Sequence, residues 1–246
     1  MNKIEIFSFD DFPLVKEGDD LVSLICKVIE RNNFQVQAFD IFVISHKIVS
    51  KAEGRIVKLK DVKPSDFSIK LSKTLKKDPR YIELALREAK RVILLKGRHL
   101  ITESLGIYPY SGIDISNVNG GESVVLLPLD PDASARRIRE GLEGFFKKPL
   151  GVIISDTTTR FLRKFCCNIA IGISGVKAYK DYKGSKDLFG YSLKLKKVAI
   201  ADEIASAAEL LMGQGDEGRP LAIVRGLNLK DDESSSKELM RVDLPF

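Results

Sequence analysis

Apolar positions recur along this chain with two spacings, and the two alternate. Leu21, Leu24, Ile25, Val28 and Ile29 fall at i, i+3, i+4, i+7 and i+8, which lays one apolar stripe along a helix. Asp19 or Asp20 precedes the stripe as its N-cap, and the pattern ends near Arg31. DIFVIS at 40–45 is a short apolar run that predicts a buried strand. The polar, basic stretch HKIVSKAEGR follows and reads as a loop, before a second strand in RIVKL at 55–59. Asp78-Pro79 signals another helix, with the aspartate capping and the proline at the first helical position. Ile82, Ala85, Leu86 and Ala89 form its inner face, and Glu83 with Arg87 makes an outer i,i+4 pair.

Further strands are predicted in RVILL at 91–95, SVVLLPL at 123–129, LGVIIS at 150–155, IAIGISG at 169–175, KKVAIA at 196–201 and LAIVRG at 221–226. Asp130-Pro131 repeats the helix-start signal, and Ile138, Leu142 and Phe145 mark that helix. A third strong helix covers about 202–212, with Ile204, Ala207, Ala208 and Leu211 inward. DDESSSKEL near the end reads as a solvated helix or tail. No internal repeat and no linker stands out.

Composition narrows the class. The 246 residues are 44% hydrophobic and 30% charged, which permits one large domain or two joined subdomains and argues against disorder. Lysine plus arginine total 40 against 34 acidic residues, a net charge of +6. That excess suits anionic ligands, nucleotides and nucleic acid alike. Three cysteines make no disulfide framework, so a reducing compartment is expected. With only His46 and His99, a His-rich zinc site is ruled out, and His99 reads as structural or solvent-facing. The start MNKIEIFSFDDFP lacks a secretory signal's apolar core. No apolar run approaches the roughly 18 residues that span a bilayer. A soluble cytoplasmic protein follows.

Four segments could carry chemistry. Asp156 follows LGVIIS at the carboxyl end of a predicted strand, with Thr157, Thr158, Thr159 and Arg160 after it. A carboxylate and a hydroxyl there suit Mg²⁺ or Mn²⁺ beside a phosphate, because hard cations take oxygen ligands; the plainer reading is an aspartate opening a turn. In YSGIDISNV at 110–118, Gly112 permits close backbone approach and Asp114 supplies a second carboxylate, although local turn chemistry explains the segment as well. SHKIVSKAEGR at 45–55 offers His46, Lys47, Lys51 and Arg55 either to a polyphosphate or simply to solvent. The glycines of LLMGQGDEGRPLAIVRG at 210–226 serve as a helix C-cap and turn, or as a loop wrapping a nucleotide. There is no P-loop and no GxGxxG. Arg160, Arg163 and Lys164 form a basic cluster, and Cys166-Cys167 read as buried small hydrophobes rather than nucleophiles.

In order along the chain these segments make a recognisable series. It comprises FPLVKEGDDL at 12–21, VISHKIVSKAEGR at 43–55, GIDISNV at 112–118, LLPLDPDASARRIR at 126–139 and ISDTTTR at 154–160. AIGISGVKAYKDYKGSKDLFGYSLK at 170–194, VAIADEIASAAELLMG at 198–213 and PLAIVRG at 220–226 complete it. The series resembles the coenzyme F420-0:gamma-glutamyl ligases over nearly the whole chain. The resemblance implies an α+β fold with mixed and antiparallel sheets, one module over residues 1–246 with two interlocked subdomains, and a homodimer. It implies GTP-dependent addition of L-glutamate to the lactyl carboxylate of coenzyme F420-0 through an acyl phosphate, then a second glutamate by gamma linkage. Two Mg²⁺ or Mn²⁺ ions and K⁺ are implied as well.

By motif match, Asp114, Asp156, Thr157 and Gln214 are the implied metal ligands. Phe12, Pro13, Leu14, Ser45, His46, Lys51 and Asn117 match the GTP site, with the loop from Met212 through Gly213, Gln214, Gly215, Asp216, Glu217 and Gly218 to Arg219. Arg160 and Arg163 face the acidic precursor or glutamate, and Asp114, Asp156, Arg160 and Arg163 are the implied catalytic set. Where the family continues with Phe-Gly-Arg-Pro-Trp-Arg, this chain has TTRFLRKFCC, keeping both arginines but not the glycine, proline or tryptophan. That departure admits a ligase with another acceptor, or a paralogue that binds nucleotide or nucleic acid without ligase activity.

Overall fold

The computed structural model describes residues 2–159 and 164–240. Among these the chain runs β1 (Glu5–Ser8), α1 (Leu21–Arg31), β2 (Ile41–Ser45), α2 (His46–Ala52), β3 (Ile56–Lys58), α3 (Asp66–Leu75) and α4 (Pro79–Glu88). Then come β4 (Arg91–Lys96), β5 (His99–Glu103), β6 (Ile107–Pro109), β7 (Ser123–Val125), α5 (Pro131–Phe146), β8 (Gly151–Thr159) and β9 (Cys166–Ser174). The last are β10 (Lys180–Asp181), β11 (Lys197–Val198), α6 (Ile200–Met212) and β12 (Leu221–Arg225). The fold is α+β with mixed and antiparallel sheets. No helix among the described residues is long and apolar enough to cross a membrane.

The described residues fall into two compact units, each drawn from separate stretches of sequence. One takes residues 2–14, Asp20–His46 and Asp130–Leu239. Its sheet has the order β1-β12-β2-β8-β9, with only β2 and β8 parallel. Ile41, Phe42, Val43 and Ile44 are all buried, as expected of a strand covered on both faces. Ile41 and Val43 pack with Ile204, Ala205 and Ala208 of α6. Phe42 stacks on Phe146 of α5.

β9 closes this sheet, so its outward amides have no strand to bond. Carboxylates take that role. Glu209 accepts from the Asn168 amide at 2.8 Å, Asp202 from Ala170 at 2.9 Å and Asp132 from Ile173 at 2.8 Å. The spacing jumps from two to three because β9 carries an extra residue: Ile154 pairs with Gly172, but Ser155 pairs with Ala170. A bulge of this kind flips which residues point outward. Burial pushes the Asp202 carboxyl above its usual range, although the Ala170 amide acts the other way.

The second unit takes Val15–Asp19, Lys47–Leu129 and Met240. It holds the antiparallel sheet β4-β5-β6 and the antiparallel pair β3–β7. Leu59, Leu75, Tyr81, Ile82, Leu100 and Val124 form its core. Asp78 caps α4 through the Arg80 amide at 2.8 Å, and Glu83 meets Arg87 at 3.0 Å as the spacing predicts.

Several expectations need correction. HKIVSKA is helical, because Ile48 and Val49 find a buried side. KKVAIA is a strand only at Lys197–Val198; Ile200 already begins α6, whose first turn carries Asp202 and Glu203 as helix N-termini favour. The inner face of α4 is Tyr81, Ile82, Leu84 and Ala85, with Leu86 and Ala89 only half-buried. α6 buries Ala201, Ile204, Ala205, Ala208 and Met212, leaving Ala207 and Leu211 half-covered. Phe145 is half exposed, since Phe146 takes the inward place beside Phe42. α3 has no clear apolar stripe in the sequence: Phe67 and Ile69 are exposed, and only Ser68 and Leu75 are buried. DDESSSKEL is not a free tail, because Ser235 and Ser236 bond Asp132 at the start of α5 and Arg139 pairs with Asp232. Cys166 is exposed and Cys167 half-buried, since both stand near the open end of β9.

Gly172 is where β9 meets the start of α5. A Cβ there would lie 2.5 Å from the Pro131 carbonyl oxygen, which is backbone and cannot rotate away. Gly172→Ala should therefore destabilise the protein by about 1–3 kcal/mol, read as a lower urea midpoint. An unchanged midpoint would mean that α5 yields freely.

Candidate functional site

Asp156 does not end its strand, as the sequence suggests; β8 runs on to Thr159. What ends is its parallel neighbour. Ser45, the last residue of β2, pairs with Ser155, and the chain then turns into α2 at His46. Beyond that point β8 pairs only with β9. Asp156 is thus the first residue of β8 past a strand end, the kind of place where sheets bind ligands. Its Oδ1 accepts from the Thr157 amide at 2.7 Å and lies 3.2 Å from Nε2 of His46. Both side chains are buried, His46 at 1% and Asp156 at 9% exposure.

Thr157 leads into a cluster of oxygens. Its hydroxyl lies 2.9 Å from Asn168 Oδ1 and 3.0 Å from Gln214 Oε1. One hydroxyl hydrogen serves one acceptor well, so an oxygen is left over. The Gln214 amide donates to Glu209 Oε1 at 2.7 Å and to Asn168 Oδ1 at 3.1 Å. Glu209 also holds the Asn168 amide from α6, which fixes the whole group to β9. A surplus of oxygen donors without nitrogen or sulfur suits a hard divalent cation. Asp156, Thr157 and Gln214 are the residues here that would hold one. Among the described residues no three His, Cys, Asp or Glu side chains gather as a metal cluster.

The loop after α6 is shaped by its own side chains. Gly213 caps the helix, donating to the Glu209 carbonyl at 2.9 Å with φ of 71°. A Cβ at Gly213 would overlap the Glu217 carboxylate. Glu217 accepts from the Gly215 amide at 2.8 Å, and backbone hydrogen bonds hold its carboxyl below the usual range. Arg219 pairs with Asp10, and Met212 is buried. Gln214 alone of this loop turns to the oxygen cluster; Asp216 and Gly218 stay exposed. In the same unit Phe12 and Pro13 are half-buried and Leu14 is exposed. The amide of Ser45 donates to the Pro220 carbonyl at 2.9 Å.

The second unit holds the other named residues. α2 places Lys47 and Lys51 one turn apart. Lys47 Nζ lies 2.8 Å from Asp114 Oδ2 and 2.6 Å from the Ser116 hydroxyl. Asp114 Oδ1 accepts the Ser116 amide at 2.7 Å. Burial pushes the Asp114 carboxyl up, but Lys47 and Ser116 together outweigh it and leave the carboxyl below its usual range. Lys51 donates to the Asn117 carbonyl at 2.9 Å, and burial, with Lys47 nearby, lowers its ammonium. Gly112 serves packing: at φ of 70° its missing Cβ makes room for Leu127. Arg55 pairs with Glu88 and bonds the Leu127 carbonyl. Lys164 and His99 are exposed. Arg160 and Arg163 lie outside the described residues.

Asn168 and Glu209 are the residues that sequence reasoning missed. The available signal was Asp202, Ser206 and Glu209, three polar residues at i, i+4 and i+7 on a helix otherwise read by its apolar face. Glu209→Ala removes the acceptor of two donors, so the Asn168 amide should lose hydrogen-exchange protection. The protein should lose about 1–3 kcal/mol of stability. Unchanged exchange at Asn168 would show that Glu209 does not anchor the cluster.

The sequence model of the F420-0:Gamma-glutamyl ligase family matches residues 11–226. A coenzyme F420:L-glutamate ligase of Archaeoglobus fulgidus is 40% identical over 240 residues, covering 97% of this chain and 94% of that protein. One from Methanopyrus kandleri is 43% identical over 215 residues, 87% of this chain and 83% of its own. One from Methanocaldococcus jannaschii is 39% identical over 243 residues, covering 97% and 94%.

Proposed function

The chain belongs to the F420-0:gamma-glutamyl ligase family, and from that premise we propose that it joins L-glutamate to coenzyme F420-0 at the expense of GTP. A carboxylate of the precursor attacks the terminal phosphorus of GTP, and GDP leaves with the bridging oxygen. The amine of glutamate then attacks the resulting acyl phosphate. Phosphate departs, the nitrogen loses a proton, and an amide bond remains. For the second addition the gamma carboxylate of the first glutamate is phosphorylated by another GTP, and the amine of the second glutamate attacks it and displaces phosphate. Phosphoryl transfer of this kind needs positioning and charge neutralisation more than covalent help from the protein.

Roles follow from the surroundings of each residue. Asp156, Thr157 and Gln214 supply oxygen ligands to a divalent cation, and Asp114 supplies a carboxylate to a second. The cation, Mg²⁺ or Mn²⁺, neutralises phosphate charge when bound, and K⁺ assists. By motif match the nucleotide is assigned to Phe12, Pro13, Leu14, Ser45, His46, Lys51, Asn117 and the loop from Met212 to Arg219. By motif match alone, Arg160 and Arg163 are assigned to the acidic precursor or glutamate. The observation that carries this reading is the oxygen cluster of Thr157, Asn168 and Gln214, which begins at the residue after Asp156 on β8 and lies inside the segment that matches the family.

Incubation with precursor, L-glutamate, GTP and Mn²⁺ should yield the glutamylated product and GDP by mass spectrometry. Asp156→Ala and Asp114→Ala should each lower turnover by at least about a hundredfold while circular dichroism stays unchanged. Turnover retained in both variants would overturn the cation assignment. Absence of product from the wild-type chain would overturn the ligase reading.

The proposal includes a homodimer. β4 is an edge strand of its sheet, and Val92, Leu94 and Leu95 are each more than two-fifths exposed. An apolar edge of this kind invites a further strand, and a second copy would cover it. Leu94→Lys should shift sedimentation from dimer to monomer. A dimer that persists would place the seam elsewhere.

A further inference from the structure

His46 is a fully enclosed polar side chain beside the proposed cation ligand Asp156. Its residue is 1% exposed, and neither ring nitrogen has a hydrogen-bond partner among the described residues. Nε2 nevertheless stands 3.2 Å from Asp156 Oδ1, near enough to bond but not aligned for it. The Thr157 amide reaches the same oxygen at 2.7 Å. Both contacts therefore fall on Oδ1. Oδ2 of Asp156 has no hydrogen-bond or ion-pair partner among the described residues.

We propose that His46 is a positioning residue: a small turn of its ring aligns Nε2 with Oδ1, so that together with the Thr157 amide it holds Asp156 by that oxygen and presents Oδ2 to a divalent cation. The inference rests on the reading of Asp156 as a cation ligand. A carboxylate free to turn must lose that freedom on binding; one held by a single oxygen has already lost it. A buried imidazole suits the task. Its ring is confined by the β2–β8 seam, since Ser45 just before it is paired with Ser155 just before Asp156. Groups that orient metal-ligating carboxylates typically change metal affinity 10- to 100-fold when removed.

The test uses the full chain and Mn²⁺ alone, without nucleotide or glutamate, with free Mn²⁺ followed by electron paramagnetic resonance. His46→Gln keeps an amide nitrogen near the place of Nε2, whereas His46→Asn draws it back to the place of Nδ1, out of reach. His46→Asn should weaken Mn²⁺ binding by about 10-fold or more, and His46→Gln should stay within about 3-fold of wild type. Wild-type affinity in His46→Asn would overturn the proposal. So would a His46→Gln as weak as His46→Asn, because the imidazole would then matter only as packing. Asp156→Asn separates the two readings: if it binds Mn²⁺ like wild type, the cation assignment itself fails. Should His46→Asn not fold, the wild-type protein decides. Titration with Mg²⁺ should move the ¹⁵N resonance of His46 Nε2 in wild type but not in Asp156→Asn, and a stationary resonance in wild type would overturn the proposal.

Discussion

An edge strand covered by helices leaves a row of amides that water cannot reach, and each unmade hydrogen bond costs about 1–3 kcal/mol. In the unit that carries Asp156, this constraint organises the rest. Asp132, Asp202 and Glu209 supply the missing acceptors to β9. The carboxylates come from α5 and α6, so both helices are registered against the strand through its backbone. Ser206 adds a bond to the Asn168 carbonyl at 2.6 Å. Once Glu209 is tied to the Asn168 amide, its second oxygen is placed to take Gln214. The oxygen cluster is thus a by-product of protecting an edge.

The same unit shows how a parallel pair opens one side of a position within an otherwise continuous strand. β2 and β8 run together until Ser45 and Ser155, and then one of them becomes a helix. The next residue of the longer strand loses its neighbour on that side. Asp156 stands there with His46 behind it. The bulge in β9 lies at the same level, between the partners of Ile154 and Ser155. Strand ending, helix start and bulge coincide, and bulges commonly re-aim side chains near functional sites.

Total charge is a poor guide to where cations are available. The net charge of +6 suggested a basic face for anions. In the second unit Lys47 is engaged by Asp114 and Ser116, Arg55 by Glu88, and Lys51 by the Asn117 carbonyl. These cations brace the segment around Asp114. To bind an anion these cations would have to exchange internal partners, which a count of charges does not reveal.

The alternation of strands and helices, the caps at Asp20, Asp78 and Asp130, and the buried strands at 41–45, 151–155 and 221–225 were legible from spacing alone, because apolar period and cap chemistry are local. The family was legible too, from the order of its motifs. α3 and α2 were not, since neither shows a full apolar stripe. Asp156 and Thr157 could be picked out as candidate site residues by type, but Asn168 and Glu209 could not. Their partners lie 11 and 41 residues away, and an edge amide in need of an acceptor exists only once strands have been ordered into a sheet. By itself the sequence determined which elements form and to which family they belong. Only the tertiary structure decided which oxygens meet, because that depends on the end of β2, the bulge in β9 and the carboxylates that satisfy its outer edge.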